Sequence, residues 1–165
     1  MNKEDKKAKK SAQPKKNQAQ PKKDQLKAKK SQIIAKKEET KEKKNEIYQY
    51  YKKHLSGLES VTMNPMNPDG DANNWLSCIT IEEASSVTPD LLMDAMEAEN
   101  MEARPIWKPM HLQPVFTGCD FFKHPDCNGN SVSESIFKRG FCLPSDVKNT
   151  TEDMDRIIAV IKQAF

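Results

Sequence analysis

Trp75-Leu76-Ser77-Cys78-Ile79-Thr80-Ile81 is the stretch from which the fold is read. It is rich in residues that favour a pleated backbone, and alternation sets Trp75, Ser77, Ile79 and Ile81 on one side of a strand. Moving toward the C-terminus, Thr88-Pro89-Asp90 opens a helix. Thr can cap it, Pro suits the first helical position, and Asp meets the helix dipole. Leu91, Leu92, Ala95 and Met96 supply its apolar face, and Asn100 ends it. A short strand around Ala103–Trp107 follows, then a long loop with Pro105, Pro109, Pro114 and Pro125. Ser133–Lys138 reads as a short helix closed by Gly140, and Phe141-Cys142-Leu143 as a strand stopped by Pro144. Thr150 and Asp153 fit a capping box. Behind them Met154, Ile157, Ile158, Ile161 and Phe165 form a core-facing helical stripe. Toward the N-terminus, Pro65, Pro68 and Asp69-Gly70 mark turns. Before those turns Ile47, Tyr50, Tyr51 and Leu55 fall at helical spacing, with Gly57 as the stop. This alternation of helix and strand predicts a small two-layer α/β domain over residues 45–165.

The remaining residues, 1–44, are a Lys-rich tail of Lys, Gln, Ala, Ser and Pro. Residues 1–45 carry seventeen lysines and no arginine against six acids, a net +11, whereas 46–165 carry ten bases and eighteen acids, a net −8. The words Gln13-Pro14-Lys15-Lys16 and Ala8-Lys9-Lys10-Ser11 recur at Gln20–Lys23 and Ala28–Ser31. Such text buries too little apolar surface to offset backbone entropy, so disorder is expected over 1–32. From Ala35 onward, Glu-Lys spacing favours a solvated helix. No apolar run approaches the roughly 20 residues of a membrane span, and the first thirty residues lack an apolar signal-peptide core. The four cysteines, Cys78, Cys119, Cys127 and Cys142, are therefore expected as reduced thiols in the cytoplasm.

Three groups of residues invite a chemical reading. Cys119, His124 and Cys127 crowd into nine positions, but their spacing is not that of a zinc site and no second pair completes one. Ordinary thiols are the preferred reading, with no metal. The lysine tail lacks interleaved aromatics, so it offers nucleic acid only non-specific counterion release. The third group is Glu102-Ala103-Arg104-Pro105-Ile106-Trp107-Lys108-Pro109-Met110-His111-Leu112-Gln113-Pro114-Val115-Phe116. Arg and Lys suit phosphate, Trp suits stacking, and His and Gln suit hydroxyls, as on a rigid binding loop. A proline-stiffened connection whose Trp and Met cap the core accounts for it equally well.

Arg104–Pro114, followed by Lys138-Arg139-Gly140-Phe141-Cys142-Leu143-Pro144-Ser145, closely resembles the C-terminal region of the DegT/DnrJ/EryC1/StrS family. Asn74-Trp75-Leu76-Ser77-Cys78-Ile79 and Ile47-Tyr48-Gln49-Tyr50-Tyr51 resemble the same family in the right order. The resemblance covers about residues 44–165. It implies the small domain of a fold type I aminotransferase that uses pyridoxal phosphate. In that family an amino group passes from glutamate to a nucleotide-sugar, and the pattern here most resembles enzymes that aminate a 4-keto UDP-sugar for surface polysaccharide.

The family's cofactor lysine belongs to a large N-terminal domain, where this chain has its lysine tail. The resemblance thus implies a partial aminotransferase, inactive alone, with no catalytic residue and no bound cofactor of its own. Arg104, Trp107, Lys108 and His111 match positions on the substrate side, with pinning of the small domain to the large one as their alternative role. Cys142 reads as a packed strand residue. A separately encoded large domain is one expected partner. The alternative function is a non-enzymatic module whose polybasic tail binds an anionic partner such as nucleic acid.

Overall fold

Between Pro21 and Pro65 the sequence contains no proline, and the longest helix forms inside that interval. The computed structural model describes residues 19–123 and 131–165. Helix α1 runs over Ala19–Leu55, built largely from Lys, Glu, Gln and Ala, which are good helix formers. Pro21 lies in its first turn, where a missing amide hydrogen costs little. Lys52, Lys53 and His54 sit in the last turn, where the dipole favours positive charge. The chain divides into two units, Met1–Glu38 and Glu39–Phe165. In the first, the disorder expected through residue 32 is corrected: the helix begins at Ala19, well before Ala35. A helix satisfies its own backbone groups, so lysine-rich text can be helical without burying anything. The expectation for residues 1–18 lies outside the described residues.

The second unit contains β1 (Val61–Met63), β2 (Cys78–Ile81), α2 (Pro89–Ala98), β3 (Arg104–Pro105), α3 (Val132–Arg139), β4 (Gly140–Cys142) and α4 (Thr151–Ala164). Two single 3₁₀ turns, Met110–Leu112 and Pro114–Phe116, lie between β3 and α3. The strands form one sheet in the order β1-β2-β4-β3, antiparallel throughout. Ile79 and Ile81 of β2 and Phe141 of β4 turn to the face that packs on helices. There they meet Ile47, Tyr51 and Leu55 of α1, Leu92 and Met96 of α2, and Met154, Ile157, Ile158 and Ile161 of α4. The result is an α/β arrangement with its core between a small antiparallel sheet and three helices.

Local signals act as expected at the helix starts. The Thr88 hydroxyl accepts from the Leu91 amide at 3.3 Å, and Thr150 and Asp153 close a full capping box. Other readings shift. The strand begins at Cys78: the chain bends at Leu76, so Trp75 is 63% exposed and leaves the core side that Ser77, Ile79 and Ile81 keep. Leu91 and Phe165 are also exposed, at the margins of their helices. Strand β1 arises between the Gly57 stop and the Pro65 turn, where the sequence reading assigned no element. Tyr48, outside the expected stripe, is buried, and its hydroxyl donates to the Asn64 carbonyl at 2.7 Å.

Candidate functional site

The short strand β3 places Arg104 and Pro105 opposite Cys142 and Phe141 of β4. A cavity of about 390 Å³ opens at this sheet edge, with Arg104, Trp107, Cys142, Ser145 and Asp146 among its lining. Arg104 is exposed, and its Nε and Nη2 both donate to Glu102 Oε1, at 2.8 and 2.5 Å. A surface pair of this kind is worth about 0–1 kcal/mol, so an incoming anion can compete for the guanidinium. Trp107 is 59% exposed and lies 5.5 Å from Trp75, centroid to centroid, with the rings tilted by 32°. One accessible indole in the lining, with a second against it, offers a flat apolar surface in the same cavity as a cation.

Two of the four sequence-derived site residues meet at this cavity, Arg104 and Trp107; Lys108 and His111 are not in its lining. The Lys108 carbonyl accepts from Gln113 Nε2 at 3.2 Å, which closes the 3₁₀ turn that follows. His111 Nε2 lies 2.9 Å from Glu134 Oε1 on α3, and its ring stacks on Phe121 at 3.6 Å. That environment fastens the loop to α3. These contacts lie within the domain and are neither of the two roles weighed for this residue.

The far wall rests on a segment whose importance was not visible in the sequence. The Lys44 ammonium donates to the Ser145 carbonyl. Burial lowers the Lys44 pKa, and the nearby Asp146 carboxylate opposes that shift. Tyr51 Oη donates to the Pro144 carbonyl at 2.7 Å, and Asn149 Nδ2 donates to the same oxygen at 3.1 Å. Ser145 Oγ accepts from the Ser77 amide at 3.0 Å and donates to the Leu143 carbonyl at 2.8 Å. The Leu143-Pro144-Ser145 turn is thus held from α1, from the chain before β2 and from its own next turn. Its text was quoted as a motif, but only the tertiary structure brings Lys44 and Tyr51 to it.

Among the described residues no three metal-ligating side chains converge. Of the Cys119, His124 and Cys127 group, His124 and Cys127 lie outside the described residues, and Cys119 is exposed. No lysine is in the cavity lining. None of the described helices is long and apolar enough to cross a membrane.

Residues 30–162 match the model of the DegT/DnrJ/EryC1/StrS aminotransferase family. The chain is 38% identical over 119 residues to EpsN of Bacillus subtilis, named as a pyridoxal phosphate-dependent aminotransferase, covering 72% of this chain and 30% of that protein. It is 28% identical over 91 residues to the GDP-perosamine synthase of Caulobacter vibrioides, covering 55% of this chain and 23% of that protein. A crystal structure of a DegT DnrJ EryC1 StrS aminotransferase from Brucella abortus superposes with a TM-score of 0.62 at 25% identity, over 76% of this chain and 31% of that one. The chain therefore spans less than a third of the length of the curated relatives it matches.

Proposed function

The chain belongs to the DegT/DnrJ/EryC1/StrS aminotransferase family, and on that premise we propose that it supplies the substrate-side small domain of a sugar aminotransferase. The observation that carries this reading is the cavity at the β3–β4 edge, which joins an exposed arginine to an exposed indole. In our reading Arg104 exchanges Glu102 for a phosphate oxygen of a nucleotide-sugar, a charge-assisted and geometrically directed contact. Trp107, with Trp75 beside it, offers a stacking face for a flat or apolar part of that ligand. Lys108 and His111 act one step back. Lys108 closes the turn through its carbonyl, and His111 ties the turn to α3 through Glu134.

Pyridoxal phosphate, which the family resemblance implies, is held in such enzymes through a lysine amine. The cavity lining contains no lysine to hold it. These residues do not fit the cofactor, so our reading assigns binding to them and no step of amino transfer. A large domain, whether covalently continuous or separately encoded, would bring the lysine. Amino transfer from glutamate to a 4-keto UDP-sugar is the reaction we propose for that assembly, in the cytoplasm.

The test is a titration of the full chain with UDP-hexose, followed by tryptophan emission. Trp107 is in the cavity lining and Trp75, the protein's other tryptophan, lies against it, so a saturable change is expected, weakened in Arg104→Ala. An unchanged spectrum at millimolar ligand would contradict the reading.

A further inference from the structure

Cys78 and Cys142 are direct partners across the antiparallel β2–β4 ladder, and their Sγ atoms lie 3.6 Å apart. The Leu143 amide donates to the Ser77 carbonyl at 2.9 Å, one residue outside the pair on both strands. That flanking bond identifies Cys78–Cys142 as a pair without ladder hydrogen bonds of its own. At such positions the Cα atoms are about 4.5 Å apart and the side chains closest, within the roughly 4.4–6.8 Å that a disulfide spans. Both side chains point to the sheet face opposite Ile79 and Phe141, away from the helical core. Cys142 is in the lining of the cavity described above, and Cys78 is half-buried.

We propose that Cys78 and Cys142 form a reversible thiol–disulfide site, oxidised by exchange with a low-molecular-weight disulfide such as glutathione disulfide. The Cys142 thiolate attacks one sulfur of the small disulfide from the cavity, forming a mixed disulfide and releasing one thiolate. The Cys78 sulfur then displaces the second, closing the Cys78–Cys142 bond. The two cysteines together lose two electrons and two protons, and the small disulfide takes up both to become two thiols. The order of events follows from access: Cys142 is in the cavity lining and Cys78 is not, so Cys142 is the attacking sulfur and Cys78 the resolving one. Arg104 pairs with Cys142 from the other side, so the cross-link would sit one strand from the cavity arginine. This inference stands apart from the nucleotide-sugar reading, since it needs only the two thiols.

The experiment uses the full chain carrying Cys119→Ser and Cys127→Ser, which leaves this pair as its only thiols. It is equilibrated in buffers of graded glutathione to glutathione disulfide ratio, then acid-quenched, counted for free thiols and mapped by peptide mass. Circular dichroism follows the fold. The expected result is loss of both thiols with a Cys78–Cys142 peptide link, reversed by dithiothreitol, in a chain that stays folded. Adding Cys78→Ser should trap the mixed disulfide on Cys142. Persistence of both thiols at the most oxidising ratio would overturn the proposal. So would glutathione adducts on both cysteines without a link, or a link that forms only as the fold is lost.

Discussion

Tyr51 on α1 donates a 2.7 Å hydrogen bond to the Pro144 carbonyl, 93 residues away in sequence, and so ties the first helix of the domain to the turn behind the cavity. Tyr51→Phe removes that donor while Asn149 still donates to the same oxygen. The expected loss is therefore modest, about 1 kcal/mol, read from urea unfolding at neutral pH.

The same tyrosine gives a pH signature. Burial, with the Asp153 carboxylate adding to it, raises its pKa well above the ordinary 10. A folded-state value above the unfolded one means the neutral hydroxyl stabilises the fold fully below pH 10. That contribution is then lost as pH rises through the folded value. Wild type should lose stability progressively above pH 10, and Tyr51→Phe should lose less over the same interval. Parallel stability profiles in the two proteins would refute the assignment.

Gly140 begins β4 where other atoms approach closely. An added Cβ would lie 2.4 Å from Ile106 Cδ1 and 2.9 Å from the Ile136 carbonyl oxygen. The Ile106 methyl can swing away, but the backbone oxygen cannot without moving the end of α3. Gly140→Ala should cost about 1–3 kcal/mol, measurable as a lowered Tm. An unchanged Tm would mean that the β4–α3 junction is looser than described.

Ile161 and Leu91 look alike in sequence, each within a helical apolar stripe. Ile161 is fully buried, whereas Leu91 is 56% exposed. Ile161→Ala should cost about 2–5 kcal/mol through lost burial and a residual cavity. Leu91→Ala should stay within about 0.5 kcal/mol, as expected for a surface position. Denaturant midpoints of the two variants test the core assignment side by side.

Arg104 and His111 separate in the same way at the site. Arg104→Ala should weaken nucleotide-sugar binding about tenfold or more, the value of a lost charge-assisted bond of roughly 1.5–3 kcal/mol. His111→Ala should change affinity little and lower thermal stability instead, since it removes the Glu134 contact and the Phe121 stack. Calorimetric titration and melting of the two variants distinguish ligand contact from support.

These contrasts mark what local text carries. Thr88 and Thr150 are legible as caps because a hydroxyl accepts a hydrogen bond within its own turn. The α4 stripe is legible because four isoleucine and methionine positions share one helical face. Trp75 is misread because alternation assumes an unbroken strand, and the bend at Leu76 breaks it. The start of α1 is misjudged because hydrophobicity measures burial, whereas lysine-rich helix formers need none. At the site, Arg104 and Trp107 are recognisable from residue type within one loop. Lys44, Tyr51 and the Cys78–Cys142 pair are not, since each depends on register or on a contact across most of the domain.

The proposed division of labour sets a substrate-binding domain here and a cofactor lysine elsewhere. The measurement that addresses it most directly is borohydride trapping of the full chain with pyridoxal phosphate, followed by peptide mapping of the reduced adducts. The account predicts scattered, substoichiometric labelling of exposed lysines with no single occupied site. One lysine labelled stoichiometrically, with the absorbance of a protected imine before reduction, would contradict it and identify the residue that performs the chemistry.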